Sequence, residues 1–199
     1  AVDDVSFSVA KGKFLTRLGP SGCGKTTTLM SIAGLHTIDI GQIRVGGVVY
    51  TAPAEGIFLP PEKRDIGMVF QSYAIWPHMT VAENVAYPLQ IRKVAREETD
   101  ARVADVLKLT GLSHAANKLA TQLSGGQQQR TALARAIVSR PRLLLFDEPL
   151  SNLDLKLREQ MRVELKRIQH EVGITSIYVT HDQAEALVMS DDIIVMSKG

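Results

Sequence analysis

The sequence predicts an α/β fold: a core with a mixed sheet, a small antiparallel side sheet and an inserted helical lobe. Three observations lead there. Residues 19–26 read Gly-Pro-Ser-Gly-Cys-Gly-Lys-Thr and fit the phosphate-loop pattern G-x-x-x-x-G-K-S/T at each fixed position. Strand-like and helix-like segments alternate at both ends of the chain. The middle, about residues 71–140, reads as helical.

Each element has its own signal. Val5, Phe7 and Val9 alternate with polar residues, as in a half-buried strand. Residues 13–18 read as the strand feeding the phosphate loop. Residues 27–33 read as the helix it opens, with Leu29, Ile32 and Ala33 on one face and Gly34 as the stop. Residues 42–50 form a further strand interrupted by a turn at Gly46 and Gly47. Residues 52–64, rich in proline and charge, read as loop, and 65–70 as a short apolar strand. Thr80 and Glu83 have capping-box spacing, so a helix starts there. A helix spans 95–110, with Val103, Val106 and Leu107 inward and Gly111 at its end. Another spans 127–140, stopped by Pro141. Residues 143–146 are a continuous apolar run, which suits a parallel strand buried on both faces. Leu157, Met161, Leu165, Ile168 and Val172 form one helical stripe. Residues 174–180 and 192–196 are the last strands. Domain boundaries follow: 1–70 and 141–199 form a nucleotide-binding core, and about 71–140 a helical subdomain.

The phosphate loop carries the most chemistry. Its glycines let consecutive N–H groups converge on an anion, Lys25 supplies a cation for the outer phosphates, and Thr26 a hydroxyl for magnesium. Cys23, the single cysteine, lies inside this loop. It is either a site where thiol reagents block nucleotide or a small residue that fits a crowded turn.

Composition sets limits. The chain has 199 residues, 45% of them hydrophobic and 22% charged, with net charge +2. That balance fits one ordinary domain and gives no broad attraction to nucleic acid or anionic lipid. No apolar run approaches the roughly 20 residues that span a bilayer. No signal peptide opens the chain, and one cysteine gives no disulfide framework, so the expected compartment is the cytoplasm.

Two more clusters join the loop. The apolar run at 143–146 ends in Asp147 and Glu148. An aspartate there can hold magnesium, and the next carboxylate can polarise a water toward the γ-phosphate. Leu123-Ser124-Gly125-Gly126-Gln127 precedes a helix that Ser124 can cap, and its glycines allow an anion close to the helix N-terminus. Two phosphate-binding helix ends with one phosphate-loop lysine hint that the second serves another subunit's nucleotide.

With these residues in place, the chain resembles the nucleotide-binding subunit of an ATP-binding cassette (ABC) transporter, a P-loop NTPase. Residues 123–127 match that family's signature motif, Gln71 its Q-loop, Ser151-Asn152-Leu153-Asp154 its D-loop and His181 its switch histidine. The resemblance covers essentially the whole chain. It implies ATP and Mg2+ as cofactors, and ATP hydrolysis that powers transport. Gly19, Pro20, Ser21, Gly22, Cys23, Gly24, Lys25, Thr26 and Thr27 would form the phosphate cradle, with Thr26, Gln71 and Asp147 toward the metal. Glu148 would be the general base, His181 would contact the γ-phosphate, and Gln71 would touch the metal or the attacking water. Ser124, Gly125, Gly126 and Gln127 would act across a head-to-tail homodimer on the partner's ATP. Asp154 would shape that interface, or cap the helix that follows it.

Residues 71–80, with Tyr73 and Trp76, resemble the importer branch that handles sugars, polyamines or ferric iron. These aromatics either line a groove for a membrane subunit or pack the lobe. The implied partners are transmembrane permease subunits and, indirectly, a solute-binding protein, with no nucleic acid. The implied location is the cytoplasmic face of the membrane. A soluble ABC ATPase of DNA repair or translation, an exporter cassette and a metabolite kinase are the alternatives; the signature motif argues against the last. The family's adenine-stacking aromatic has no match here, and the importer branch carries a further C-terminal domain, so the sequence reads as a fragment. Arg17 departs from the aliphatic expected in its strand. Either it reaches solvent or a carboxylate, or the strand is destabilised there, because an unpaired buried cation is costly.

Overall fold

The computed structural model describes residues 2–197 and separates them into two units. The first holds the chain up to Met68, Arg142–Glu148 and the chain from Gly173; the second holds Val69–Pro141 and Pro149–Val172. The sequence expectation drew the helical lobe at about 71–140. The second unit also takes in 149–172, where Leu157 lies against Gly126 and Glu164 pairs with Arg130.

The larger sheet has five strands: β1 (Phe14–Leu18), β5 (Ile66–Val69), β6 (Leu143–Asp147), β7 (Thr175–Thr180) and β8 (Asp192–Val195), in the order β5-β6-β7-β1-β8. The pairings β6–β7, β7–β1 and β1–β8 are parallel. Antiparallel pairing falls in the smaller sheet of β2 (Ile43–Val45), β3 (Val48–Ala52) and β4 (Ile57–Phe58). Gly46 and Gly47, at φ 54° and 84°, make the left-handed turn of the β2–β3 hairpin, which favours glycine at both positions.

Register is the consequence that matters for the site. Leu18 lies opposite Thr180, and Asp147 opposite Val179. Three chains therefore leave the sheet at one edge: toward the phosphate loop, toward Glu148 and toward His181. Burial enforces this alignment. All five residues of β6 are buried, and so are five of the six in β7. On one side Leu143, Leu145, Ile177 and Val179 cluster with Leu29, Ile32 and Ala33 of α1 (Lys25–Ala33). The rings of Phe14, Phe146 and Tyr178 meet at centroid distances of 5.7–6.1 Å.

In the second unit, α2 (Val81–Ile91) starts with the expected capping box. It packs with α3 (Arg96–Leu109) and α4 (Gly125–Ile137) around Val81, Val85, Leu89, Val103, Leu107, Leu112 and Ala134. Each large side chain enclosed there contributes about 1.5–3 kcal/mol. Helix α5 (Leu155–Val172) buries Met161, Leu165 and Ile168, while Val172 is exposed at its end.

Some expectations change. Val5, Phe7 and Val9 alternate in burial, yet the segment is not a strand; Phe7 and Val9 pack on the α1 cluster without a ladder partner among the described residues. Helix α4 begins two residues earlier than residue 127, because the Ser124 cap starts it at Gly125. A short helix, α6 (Gln183–Met189), follows His181 and carried no strong periodic signal.

Of the two readings of Arg17, the compensated one is ruled out. Arg17 is fully buried in β1, between β7 and β8, does not reach solvent, and pairs with no carboxylate among the described residues. Its Nη2 donates to Met196 Sδ and its guanidinium lies 5.2 Å from the Phe7 ring centroid, while Nε and Nη1 have no partner among the described residues. A thioether and a ring face compensate a cation weakly. Burial pushes its pKa down to about 10. Arg64 is also buried, but there the donors are matched. Nη1 donates to the carbonyls of Ser31 and Ile32 at 2.8 and 2.7 Å, at the C-terminal turn of α1. Nε reaches the Leu59 carbonyl at 2.6 Å and Nη2 the Thr51 hydroxyl at 2.7 Å. The cation also complements the negative end of the helix dipole.

The two arginines are expected to respond in opposite directions. Arg64→Met leaves these acceptors unpaired and should lower the unfolding free energy by about 3 kcal/mol. Arg17→Leu should raise it by about 1–3 kcal/mol. The folded chain holds the Arg17 proton less tightly than the unfolded chain, so the Arg17 penalty is complete below about pH 10 and fades above it. Denaturant unfolding of both variants near pH 7 checks the signs.

Candidate functional site

The first unit brings three predicted segments to the carboxyl edge of its sheet. After β1 the chain turns sharply at Gly19. A side chain there has no room: an added Cβ would lie 2.4 Å from the Met196 carbonyl oxygen and 2.8 Å from Cys23 Sγ. The loop then runs through exposed Pro20, Ser21 and Gly22 to buried Cys23. Helix α1 begins after Gly24, which sits at φ 94°, and no side chain caps its first turn. Its leading N–H groups and dipole are therefore open to an anion, with no side-chain cap competing. Lys25 is buried, and its Nζ bridges the loop, donating to the carbonyls of Gly19 at 2.7 Å and Pro20 at 2.8 Å. Cys23 Sγ lies 3.7 Å from the same nitrogen.

At the end of β6, buried Asp147 accepts a hydrogen bond from the Thr26 hydroxyl at 2.9 Å. Burial pushes the Asp147 carboxyl above its ordinary range, offset by that hydrogen bond, raised again by Glu148 and lowered by Lys25. Glu148 comes next, at φ 44°, a left-handed conformation that is strained for a residue with a side chain. Its N–H is pinned to the Val179 carbonyl at 3.1 Å. The turn aims its carboxylate at His181, with Oε2 3.1 Å from Nδ1. His181 is exposed and Glu148 is mostly enclosed.

These groups suit a magnesium–phosphate site. Magnesium takes hard oxygen ligands from one or two side chains, with waters and phosphates filling the rest. Thr26 Oγ1 and Asp147 Oδ1 are such a pair, and among the described residues no group of three His, Cys, Asp or Glu forms a competing centre.

The second unit holds the other predicted residues. Ser124 Oγ accepts from the Gln127 N–H at 3.4 Å and Gln127 Oε1 accepts from the Ser124 N–H at 3.1 Å, a reciprocal cap on α4. Gly125 and Gly126 fit closely, since a Cβ on Gly126 would lie 3.1 Å from Leu157. Asp154 Oδ1 accepts from the Leu157 N–H at 3.0 Å and so caps α5. Gln71 is exposed, and its carbonyl accepts from Asn152 Nδ2 at 2.8 Å, which ties residue 71 to the 151–154 turn.

Sequence reasoning missed Arg135. Its guanidinium donates to the carbonyls of Tyr73 at 2.9 Å and Ala74 at 2.6 Å, and it stacks 4.7 Å from the Trp76 ring centroid. Tyr73 and Ala74 have φ of 61° and 49°, so the arginine holds a strained turn two residues beyond Gln71. Tyr73 is buried and Trp76 half-buried against Tyr87. An arginine on the buried face of α4 was the available signal.

Residues 2–151 match the family described as ABC transporter. Over all 199 residues the chain is 57% identical to the trehalose/maltose import ATP-binding protein MalK of Thermococcus litoralis and 56% identical to the spermidine/putrescine import ATP-binding protein PotA of Thermobifida fusca. It spans 54% and 50% of those two proteins, about half their length. A solved dimeric structure of the ATP-binding cassette MJ0796, in a post-hydrolysis state bound to ADP and Pi, overlays with a TM-score of 0.79 at 34% identity, covering 97% of this chain and 84% of that one. Matched in sequence to that family and in fold to its solved cassettes, the chain belongs to the ABC transporter family.

Proposed function

We propose that this chain is the ATP-binding and ATP-hydrolysing part of an importer, driving solute uptake through separate permease subunits. The observation that carries the reading is the convergence, at one sheet edge, of the phosphate loop with Thr26 on Asp147 and of Glu148 on His181. The import names of the relatives support the direction of transport, and the dimeric neighbour supports closure of two copies head to tail. No helix among the described residues is long and apolar enough to cross a membrane. The proposed place is the cytoplasmic face of the membrane, bound to the permease. The two units together would form one ATPase domain.

The residue roles follow from chemistry. ATP is the substrate, and the loop at 19–27 holds its phosphates through N–H groups and Lys25. Thr26 and Asp147 would hold magnesium, which when bound neutralises charge on the β- and γ-phosphates. Glu148 accepts a proton from the attacking water, and its tether on β7 fixes where that carboxylate stands. His181 donates toward the γ-phosphate and anchors Glu148 through the opposite side of its ring. Gln71 would serve the metal or the attacking water and couple to the permease, the role the family resemblance gives it. Ser124, Gly125, Gly126 and Gln127 complete the partner copy's site, with Asp154 beside them. The solute-binding protein enters only through the permease.

Glu148→Gln is expected to keep Mg-ATP affinity within a few-fold while turnover falls by at least about 100-fold. The loaded variant should also sediment as a dimer, because hydrolysis no longer reopens it. Near-normal turnover would remove Glu148 as base, and a monomer with bound ATP would remove the shared site.

A further inference from the structure

The turn that carries His181 has an unusual internal support. Asp182 and Glu185 stand at the N-cap and third positions of α6, the spacing of a capping box. In that arrangement the glutamate folds back on the cap residue's own N–H. Here Asp182 does its half, with Oδ1 accepting from the N–H groups of Ala184 at 2.7 Å and Glu185 at 3.1 Å. Glu185 does not. Its side chain turns inward, is almost wholly buried, and accepts two hydroxyl hydrogen bonds on Oε2. Tyr178 donates at 2.8 Å and Thr180 at 2.7 Å. The Asp182 N–H instead donates to Thr180 Oγ1 at 3.0 Å.

The Thr180 hydroxyl is therefore an intermediary. It gives its proton to Glu185 and takes a hydrogen bond from the residue after His181. Both peptide neighbours of the histidine are fastened, Thr180 by its side chain and Asp182 by its N–H. Tyr178 anchors the same carboxylate from within β7, where its own ring packs on Phe14 and Phe146. Burial and the Glu185 charge push the Tyr178 hydroxyl well above its usual pKa, so it stays a donor. Side-chain packing alone does not require a carboxylate here: among the described residues no cation pairs with it, and burying an unpaired carboxylate costs free energy that an apolar residue would avoid.

We infer that Glu185, through Thr180, is a positioning residue for the hydrolytic step: it fixes the turn that sets His181 against Glu148. The inference rests on the role proposed above for His181. It makes Glu185 act through the histidine and not on ATP.

The test is steady-state ATPase kinetics and Mg-ATP affinity of the full chain, using Glu185→Ala, Thr180→Val, His181→Ala and the His181→Ala/Glu185→Ala double variant. Glu185→Ala is expected to lower kcat by roughly 10- to 100-fold with KM and Mg-ATP affinity little changed. In the His181→Ala background the same change should lower kcat no further. Glu185→Gln and Thr180→Ser, which keep the acceptor and the hydroxyl, should recover most of the loss. If Glu185→Ala does not fold, Thr180→Val against Thr180→Ser decides the matter by the same readout. Wild-type kcat in Glu185→Ala and Thr180→Val, or an equal loss with and without His181, overturns the inference. A His181→Ala variant with wild-type kcat overturns the reading of His181 itself, and the positioning role falls with it.

Discussion

The parallel register of β1, β6 and β7 is the constraint on which the first unit depends. Side chains of β6 and β7 are enclosed on both faces, so a slip of one residue would turn the whole buried set over. With Leu18 opposite Thr180 and Asp147 opposite Val179, three loops of different chemistry start from one line. Ligands of α/β sheets bind outside the carboxyl ends of strands for this reason. The site is thus a product of core packing: apolar burial fixes the register, and the register fixes where the phosphate loop, the carboxylates and the histidine emerge.

In each unit, polar groups hold conformations that packing alone would not select. Glu148 keeps a left-handed backbone because its N–H is tied to β7. Tyr73 and Ala74 keep theirs because Arg135 takes both carbonyls. Such turns cost on the order of 1–3 kcal/mol each, so they persist where surrounding bonds over-determine them. Arg64 shows the same logic in a structural role. Arg17 shows its absence: a guanidinium of equal burial, with a sulfur and a ring where carbonyls would be needed.

Much of this was legible in the sequence. The phosphate loop, the Thr80 and Ser124 caps, the apolar run into Asp147 and the stripe on α5 are local signals, and local physics realises them. The glutamine, the signature turn and His181 were legible as an ordered set through a family resemblance. What could not be read were groups whose partners are distant in sequence. Arg135 and the Tyr73 carbonyl, or Gln71 and Asn152, meet only in the fold. Glu185 was hidden differently, since its spacing from Asp182 reads as an ordinary cap while the side chain points the other way. The strand expected at Val5 to Val9 failed because alternation reports burial, and a strand also needs a neighbour to bond.

The most direct measurement is calorimetric titration of Mg-ATP into the purified chain, beside Lys25→Ala. The phosphate loop at the sheet edge requires saturable binding by the unaltered chain and an affinity at least about 10-fold weaker in the variant, the scale of one charge-assisted contact. Equal affinity in the two, or no binding by either while both are folded, would contradict a nucleotide held by this loop.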